Sequence, residues 1–214
     1  MKTTTKLMLV IAMMAFFTEA SFAQLSDKEL KKDLKERVDK DARKEAKTLT
    51  KEGWKVMPGK LSIERQIQDA QYAALDIDEN GEKLNFIGTH QAIGGNYSSA
   101  KQIADNRAHI EIANAIGKAI TGKAQDQVSN RNLGDNDIEL IDEYVSGNKS
   151  VVSSVLHGIT PVLEIYRQLP DGKYEVMVTV SVNAHKALRD AKIALQAELK
   201  DKSQNIIDHL DKIL

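Results

Sequence analysis

The chain of 214 residues contains no cysteine, three prolines, one tryptophan, five tyrosines and four phenylalanines. The absence of cysteine excludes disulfide scaffolds, zinc sites with thiolate ligands and a thiol nucleophile. The 30 lysines and arginines nearly balance the 31 aspartates and glutamates, so the composition lacks the basic excess of a nucleic-acid-binding protein. Composition therefore indicates a mixed α and β chain and names no reaction or ligand.

The first 23 residues have the pattern of a secretory signal peptide. A short basic segment precedes an apolar run from Leu7 to Phe17, and Ser21 and Ala23 are the small residues expected before a cleavage point. The run has about eleven residues, against the roughly 20 of a membrane-spanning helix. No cysteine follows the cleavage point, so no lipid anchor can be attached there. We expect an exported protein of the periplasm or outer-membrane surface, with no lipid anchor and no integral membrane span after cleavage.

Residues 24–52 form a predicted charged helical arm. Eighteen of residues 27–52 are charged, and Ser26 with Glu29 makes a capping box that predicts the start of a helix. The apolar residues between these charges form a thin stripe along the helix. Such a stripe is typical of a solvated helix that leans on the domain or projects from it. The alternative is a partner-binding or coiled-coil arm. On that hypothesis the rest of the chain folds without residues 24–52.

Residues 53–83 are predicted to form a loop and an amphipathic helix, the helix running from about Ser62 to Leu75. The following turn contains Asp76, Asp78 and Asn80, which reproduce the first half of a calcium loop. The second half does not match such a loop, because Ile87 occupies the position where a bidentate glutamate is needed. A solvated turn is the simpler interpretation, and weak Ca²⁺ binding is the alternative.

Residues 84–183 are predicted to form an α+β core domain, and residues 184–214 a long C-terminal helix capped by Asn183. We expect a small antiparallel sheet of three to four strands, covered on one face by helices. A long helix is expected to begin near Ser99, which with Gln102 makes a second capping box. The four candidate strands are Leu84 to Ile93, Val151 to Leu156, Val162 to Tyr166 and Tyr174 to Val182.

The long helix is predicted to be covered on most sides. On a helical wheel, four polar residues fall within one narrow sector, and isoleucines and alanines occupy the remainder, so most of the helix is expected to be core. The four polar residues are Arg107, Glu111, Asn114 and Lys118.

The loop before this helix combines two glycines, a tyrosine and two hydroxyl groups at a helix N-terminus, where anions can bind. It is the candidate small-ligand site of the sequence. The simpler interpretation is a turn in which Ser99 caps the helix and Tyr97 packs nearby. The residues of the candidate site are Gly94, Gly95, Asn96, Tyr97, Ser98 and Ser99.

Signals for catalysis and cofactors are weak. The Gly117 to Lys123 segment has the spacing of a phosphate loop, but Ala124 replaces the metal-binding hydroxyl and the segment lies in a predicted helix. The five histidines show no spacing typical of a metal site. A hydrolase would need His90, His109 or His157 to meet a serine and an acid in the fold. We expect no enzyme activity and no cofactor.

The order of elements in residues 84–183 is a strand, a glycine turn, an alanine- and isoleucine-rich helix containing Arg107, the segment from Val151 to Gly158, and a strand reading Tyr-Glu-Val-Met-Val. This order resembles the Lpp-twenty family of bacterial envelope lipoproteins and, more distantly, the N-terminal domain of flagellar assembly protein T. The resemblance implies a small α+β domain in the cell envelope that serves in contacts rather than catalysis. The chain departs from that family in lacking the lipidated cysteine and in carrying the charged arm.

These observations favour a non-enzymatic exported envelope protein that acts by binding an envelope protein or itself. The alternative is a periplasmic small-ligand or Ca²⁺ binding module.

Overall fold

A computed structural model describes residues 27–129, 135–199, 208 and 210–211. The predicted signal peptide and Ser26 of the first capping box lie outside these residues. In chain order the named elements are α1 (Asp27–Lys51), α2 (Ile63–Leu75), β1 (Asn85–Gly94), α3 (Tyr97–Ser129), α4 (Asp135–Gly147), α5 (Lys149–Ser154), β2 (Thr160–Gln168), β3 (Tyr174–Asn183) and α6 (Ala184–Leu199).

The three strands form one antiparallel sheet in the order β1-β3-β2. The central strand β3 places Thr179 opposite Thr89 of β1 and opposite Leu163 of β2. A turn closes the hairpin between β2 and β3. Gly172 in this turn has a φ of 84°, which residues with a side chain rarely adopt. The α+β class and the antiparallel sheet with a long helix are therefore confirmed.

One face of the sheet packs against α3. Valines alternate along β3 because successive side chains in a strand point to opposite faces, and they meet the alanines and isoleucines of the helix. Gly88 of β1 is required at this contact, since a Cβ there would collide with the carbonyl oxygen of Ala108. The buried residues of α3 include Ala104, Ala108, Ile112, Ile116 and Ile120.

The other face of the sheet is covered as well. Leu163 and Ile165 of β2 share a second core with Trp54, with α2 and with the C-terminal half of α1. The helical residues in this core are Ala42, Ala46, Leu49, Ile63 and Ile67. The sequence predicts helices on one face, and the structure has them on both.

Two compact units divide the chain between Arg37 and Val38, so the boundary falls inside α1 rather than at residue 52. In the first unit Lys32 lies 3.9 Å from Glu36, and Arg37 lies 2.9 Å from Asp33. In the second unit, the rest of α1 carries the apolar residues of the second core. The predicted arm therefore ends near residue 37, and the remainder of the helix is part of the domain.

The helix starts are set by side-chain caps. Ser62 accepts the Arg65 amide hydrogen and Asn183 accepts that of Lys186, as expected for caps at these residues. The prediction that Ser99 caps α3 is wrong. Asn96 precedes the helix instead, and its Oδ1 accepts the Ser99 amide hydrogen at 2.9 Å.

The prediction of a strand from Val151 to Leu156 is wrong. Helix α5 covers Lys149–Ser154 and is followed by a turn at Val155. Val152 and Leu156 are the buried residues, four positions apart. That spacing matches one face of a helical turn, whereas a half-buried strand buries alternate residues. The polar composition of residues 126–149 predicts irregular structure interrupted by a short element around Ile138 to Val145. Helix covers residues 126–129 and 135–147 of this stretch, so the regular structure is longer than that prediction.

Candidate functional site

A cluster of polar side chains joins the start of α3 to β2. Glu164 is 9% exposed. It accepts a hydrogen bond from the hydroxyl of Tyr97 and lies 3.1 Å from the Lys101 ammonium. Lys101 also lies 2.9 Å from Asp105, one turn further along α3. Each charged group in the cluster therefore has a partner of opposite charge or a hydrogen-bond donor.

The pKa values follow from this pairing. Burial raises the pKa of Tyr97, and its hydrogen bond to the Glu164 carboxylate raises it further. Burial acts to raise the pKa of Glu164, but the hydrogen bonds from Tyr97 and Lys101 outweigh it, and the pKa is lowered. The Tyr97 phenol therefore stays protonated and serves as a hydrogen-bond donor, so it is unsuited to the role of a general base.

The surroundings of the cluster hold it in place. The Tyr97 ring meets the Tyr166 ring edge-on with centroids 5.4 Å apart. The main-chain N–H of Glu164 donates to the Gln66 side chain of α2 at 2.7 Å. The cluster thus ties α3, β2 and α2 together. Its arrangement suits a structural link between elements.

In the predicted ligand loop, residues 94–99, most of the contacts form the turn between β1 and α3. A Cβ on Gly94 would collide with the Ser99 hydroxyl oxygen, so the strand and helix meet too closely for a side chain. Asn96 and Ser99 bond each other's main chain. Tyr97 is the residue of this loop that reaches the polar cluster.

Of the predicted calcium residues, Asp78 is engaged within its own turn. Asp78 Oδ1 accepts the amide hydrogens of Asn80 and Glu82 at 2.8 and 2.9 Å. The Glu82 amide is the main cause that lowers the pKa of Asp78. His185 lies 3.5 Å from the second oxygen of Asp78. In the described part of the chain, no group of three His, Cys, Asp or Glu side chains is placed to share a metal ion.

A pocket of about 210 Å³ lies beside this turn. Small-molecule sites usually enclose about 300 to 1,000 Å³, so its volume gives little support to a small-ligand function. Its lining combines an apolar floor with charged groups, of which Lys123 is paired with Glu82 at 2.8 Å. The lining residues are Glu82, Lys83, Phe86, Ala119, Lys123, Ala184, His185 and Leu188.

The two edges of the sheet differ. On the outer side of β2, Lys55 exchanges two main-chain hydrogen bonds with Tyr166. The Gln66 side chain accepts the amide hydrogen of Glu164 on the same side. On the outer side of β1, the Glu111 carboxylate accepts the Thr89 amide hydrogen at 2.7 Å. No described strand pairs with that side of β1. A second chain could therefore add to β1, whereas β2 is covered.

On its side turned away from the sheet, α3 exposes two isoleucines. Ile103 is 38% exposed and Ile110 is 51% exposed. They flank Arg107, which donates to His90 of β1 at 3.2 Å. We call the outer edge of β1 together with Ile103, Arg107, Ile110 and Glu111 the β1–α3 surface. The prediction that isoleucines of this helix are core is wrong for Ile103 and Ile110.

His90 contacts two charged side chains. His90 lies 3.5 Å from Glu111 through Nδ1 and meets Arg107 through Nε2. Its hydrogen-bond partners among the described residues include no serine. The Gly117 to Lys123 segment lies inside α3, where its amides serve the helix and are not free to bind phosphate.

Sequence reasoning missed the polar cluster and the β1–α3 surface. Glu164 reads as an ordinary strand residue, and only the fold brings it beside α3. The exposed isoleucines could have been found, since both lie within about 60° of Arg107 on a wheel of 100° per residue. They belong with the polar sector that the sequence separates from the core.

Comparison with protein families, curated proteins and solved structures found no match. The resemblance to the Lpp-twenty family therefore stays a prediction. None of the described helices has the length and apolar character needed to cross a membrane.

Proposed function

We propose that this chain is a non-enzymatic, exported cell-envelope protein that acts by binding another protein through the β1–α3 surface. The observation that carries the proposal is the combination of an unpaired strand edge on β1 with the isoleucines exposed on α3, the helix that packs over that strand. An open edge offers main-chain hydrogen bonds to an extended partner, and neighbouring apolar side chains add contact area.

The composition of the surface fits a protein partner. Ile103 and Ile110 supply apolar contact, while Arg107 and Glu111 supply one positive and one negative charge. A surface with both signs of charge suits a partner that presents both as well. Nucleic acid is a poor candidate, because its phosphates require an excess of positive charge.

The polar cluster supports a role without catalysis. An active site holds groups that are free to meet a substrate. In this cluster Glu164 is held by Tyr97 and Lys101, and Lys101 is shared with Asp105. These contacts satisfy the charged groups within the fold, as a structural link requires.

Location in the envelope follows from the predicted signal peptide of residues 1–23. Cleavage before Gln24 would release a chain without cysteine, so a lipid anchor is not part of the proposal. We place the mature protein in the periplasm or against the outer membrane through protein contacts. The binding partner is then another envelope protein or a second copy of the chain.

Site-specific photo-crosslinking in living cells tests the proposal. A crosslinking residue at Ile110 should trap a discrete adduct in the envelope fraction. The matched control places the same residue at Ile193 of α6, which is 59% exposed but lies outside the β1–α3 surface. Absence of an adduct from Ile110, or equal adducts from both positions, would contradict the proposal.

A further inference from the structure

The pocket beside the Asp78 turn lies where three elements meet at one end of the sheet. Phe86 belongs to the start of β1, Ala119 to the C-terminal half of α3, and Leu188 to the second turn of α6. The start of α6 is fixed in place, because the Ala184 amide donates to the main-chain carbonyl just before β1 at 2.8 Å. Alanine at positions 119 and 184 projects a single methyl group, so space is left between the larger side chains.

The size and lining of this space define the body of a ligand. Its volume of about 210 Å³ is small for most small-molecule sites and limits the ligand to a compact group. An apolar cavity of about 150 Å³ is enough to hold benzene, so this pocket suits a group of roughly six to nine non-hydrogen atoms. The Phe86 ring and the Leu188 side chain make its floor apolar. The floor therefore accommodates a short hydrocarbon group.

Charged groups at the rim define the other part of a ligand. Lys123 lies 2.8 Å from Glu82, which offsets its charge. The His185 ring likewise lies 3.5 Å from Asp78. Lys83 lines the pocket as well, and among the described residues it has no ion-pair partner. The rim therefore has one positive charge that is not offset, and a single carboxylate would complement it.

We propose that this pocket binds a carboxylate carried by a short apolar group, with the carboxylate at Lys83 and the hydrocarbon on the floor. A lysine without a partner is ordinary on a protein surface, and so is a shallow apolar hollow. Their combination in one lining carries the proposal, because a ligand with both chemical features contacts both. The site goes beyond the proposed function, since the α3 residues of the β1–α3 surface do not line it.

The charge of the rim selects among anions. A phosphate ester carries about two negative charges at neutral pH. Its second charge would have no cation to meet, and the Glu82 carboxylate lies at the same rim. A monocarboxylate meets Lys83 and leaves the pair of Glu82 and Lys123 intact. The ligand class is therefore a monocarboxylate, supplied either by a free short-chain acid or by the carboxyl-terminal residue of a polypeptide.

An NMR titration tests the site with a probe of matched shape. The chain without its predicted signal peptide, residues 24–214, is isotope-labelled and titrated with isocaproate, a branched short-chain acid. The amides of Lys83, Phe86 and Ala119 should show saturable shifts. The dissociation constant should be in the millimolar range, as for a ligand of few atoms. The Tyr174 amide, at the opposite end of β3 from the pocket, should not shift.

Control ligands separate the two chemical features. Isocaproamide has the same shape without the charge, and it should bind at least about threefold more weakly, as for loss of an exposed ion pair. Acetate has the charge without the hydrocarbon, and it should bind at least about tenfold more weakly because it buries less apolar surface. A blocked tripeptide ending in leucine identifies the source of the carboxylate. Tighter binding of this peptide assigns the pocket to a chain end, and equal or weaker binding assigns it to a free acid.

Substitutions locate the binding at this pocket. Lys83→Gln should raise the dissociation constant of isocaproate at least about threefold, whereas Lys173→Gln should leave it unchanged. Lys173 is the matched control, because it is exposed like Lys83 and precedes β3 at the end opposite Ala184. Ala119→Leu fills part of the pocket and should abolish the shifts. Circular dichroism should show that each variant keeps its folded content.

Two results would overturn the proposal. One is the absence of saturable shifts with both isocaproate and the leucine peptide. The other is binding that is equally tight for the acid and its amide, or unchanged in Lys83→Gln, since the carboxylate would then not be held at Lys83. If Ala119→Leu does not fold, Lys83→Gln still decides. The crosslinks from Ile110 do not depend on the pocket, so the proposed function is tested separately.

Discussion

Glu164 shows how a buried charge can be held by the fold. Its carboxylate sits on a strand of the core sheet and has two donors, Tyr97 and Lys101, from the first turns of α3. A buried charge is costly unless it is paired and hydrogen-bonded. The cluster therefore favours one placement of the start of α3 over the sheet.

Tyr97→Phe removes one donor and keeps the ring against Tyr166. We expect a loss of about 1 to 3 kcal/mol in the free energy of unfolding, because the Glu164 carboxylate loses a hydrogen-bond partner. Urea denaturation at neutral pH measures this loss. Tyr174→Phe is the matched control. An equal loss in both variants would contradict the role given to the Tyr97 hydroxyl.

The same cluster predicts an acid-dependent stability. The pKa of Glu164 is lowered in the folded chain from an ordinary value of 4.5. The unfolded state then binds a proton first, so the stabilisation is present above the ordinary value and declines as the pH falls through the folded pKa. Glu164→Gln should lack this component. The difference in stability between wild type and variant should therefore shrink in acid, and a constant difference would contradict the assignment.

Among the helices and strands, those with a strong hydrophobic period could be predicted from the sequence. The others depend on the elements they pack against. The alternating valines of β3, the start of α2 near Ser62 and the cap Asn183 were predicted because local chemistry determines them. The segment from Val151 to Ser154 was not, since a short run of valine and serine suits a strand or a helix. Its packing partners, α3 and α6, are distant in sequence.

In the charged helix α1, too, the sequence pattern alone could not predict which residues pack against the domain. Both halves of α1, up to Arg37 and from Val38 onward, are rich in charge, and composition predicts one arm. The second core separates them, because it takes up Ala42, Ala46 and Leu49. Only the positions of α2 and β2 reveal that this half of the helix is part of the domain.

Two truncations test this division. Removal of residues 24–37 should change the free energy of unfolding of the domain by less than about 0.5 kcal/mol, as for changes away from the core. Removal of residues 24–52 takes Ala42, Ala46 and Leu49 from the second core, and loss of one buried leucine side chain alone typically costs about 2 to 5 kcal/mol. The longer truncation should therefore unfold far more easily. Equal stability of the two forms would show that α1 is an arm along its whole length.

For the whole molecule, the sheet has one closed edge and one open edge. Lys55 and Gln66 cover β2, while Glu111 alone meets an outward main-chain amide of β1 among the described residues. Long unpaired edges invite association, and proteins usually protect them. An edge protected by one exchangeable carboxylate is consistent with a surface kept available for a partner.

Sequence reasoning reached the idea of association but offered the charged N-terminal helix as the binding element. The β1–α3 surface depends on the order of strands, which places β1 at the edge, and on the position of α3 beside it. Neither can be derived from residue patterns alone. The exposed isoleucines were visible on the helical wheel, but only the fold shows that the helix carrying them packs over a strand with an open edge.

Hydrogen exchange of single amides tests most directly whether the β1–α3 surface is covered when the protein works. At concentrations where the wild type is associated with its partner, the outward amides of Ile87, Thr89, Gln91 and Ile93 should exchange much more slowly than in Ile110→Glu. Inward amides of β1, which bond to β3, should exchange alike in both and serve as the internal control. Outward amides that exchange equally fast in wild type and variant would contradict the account.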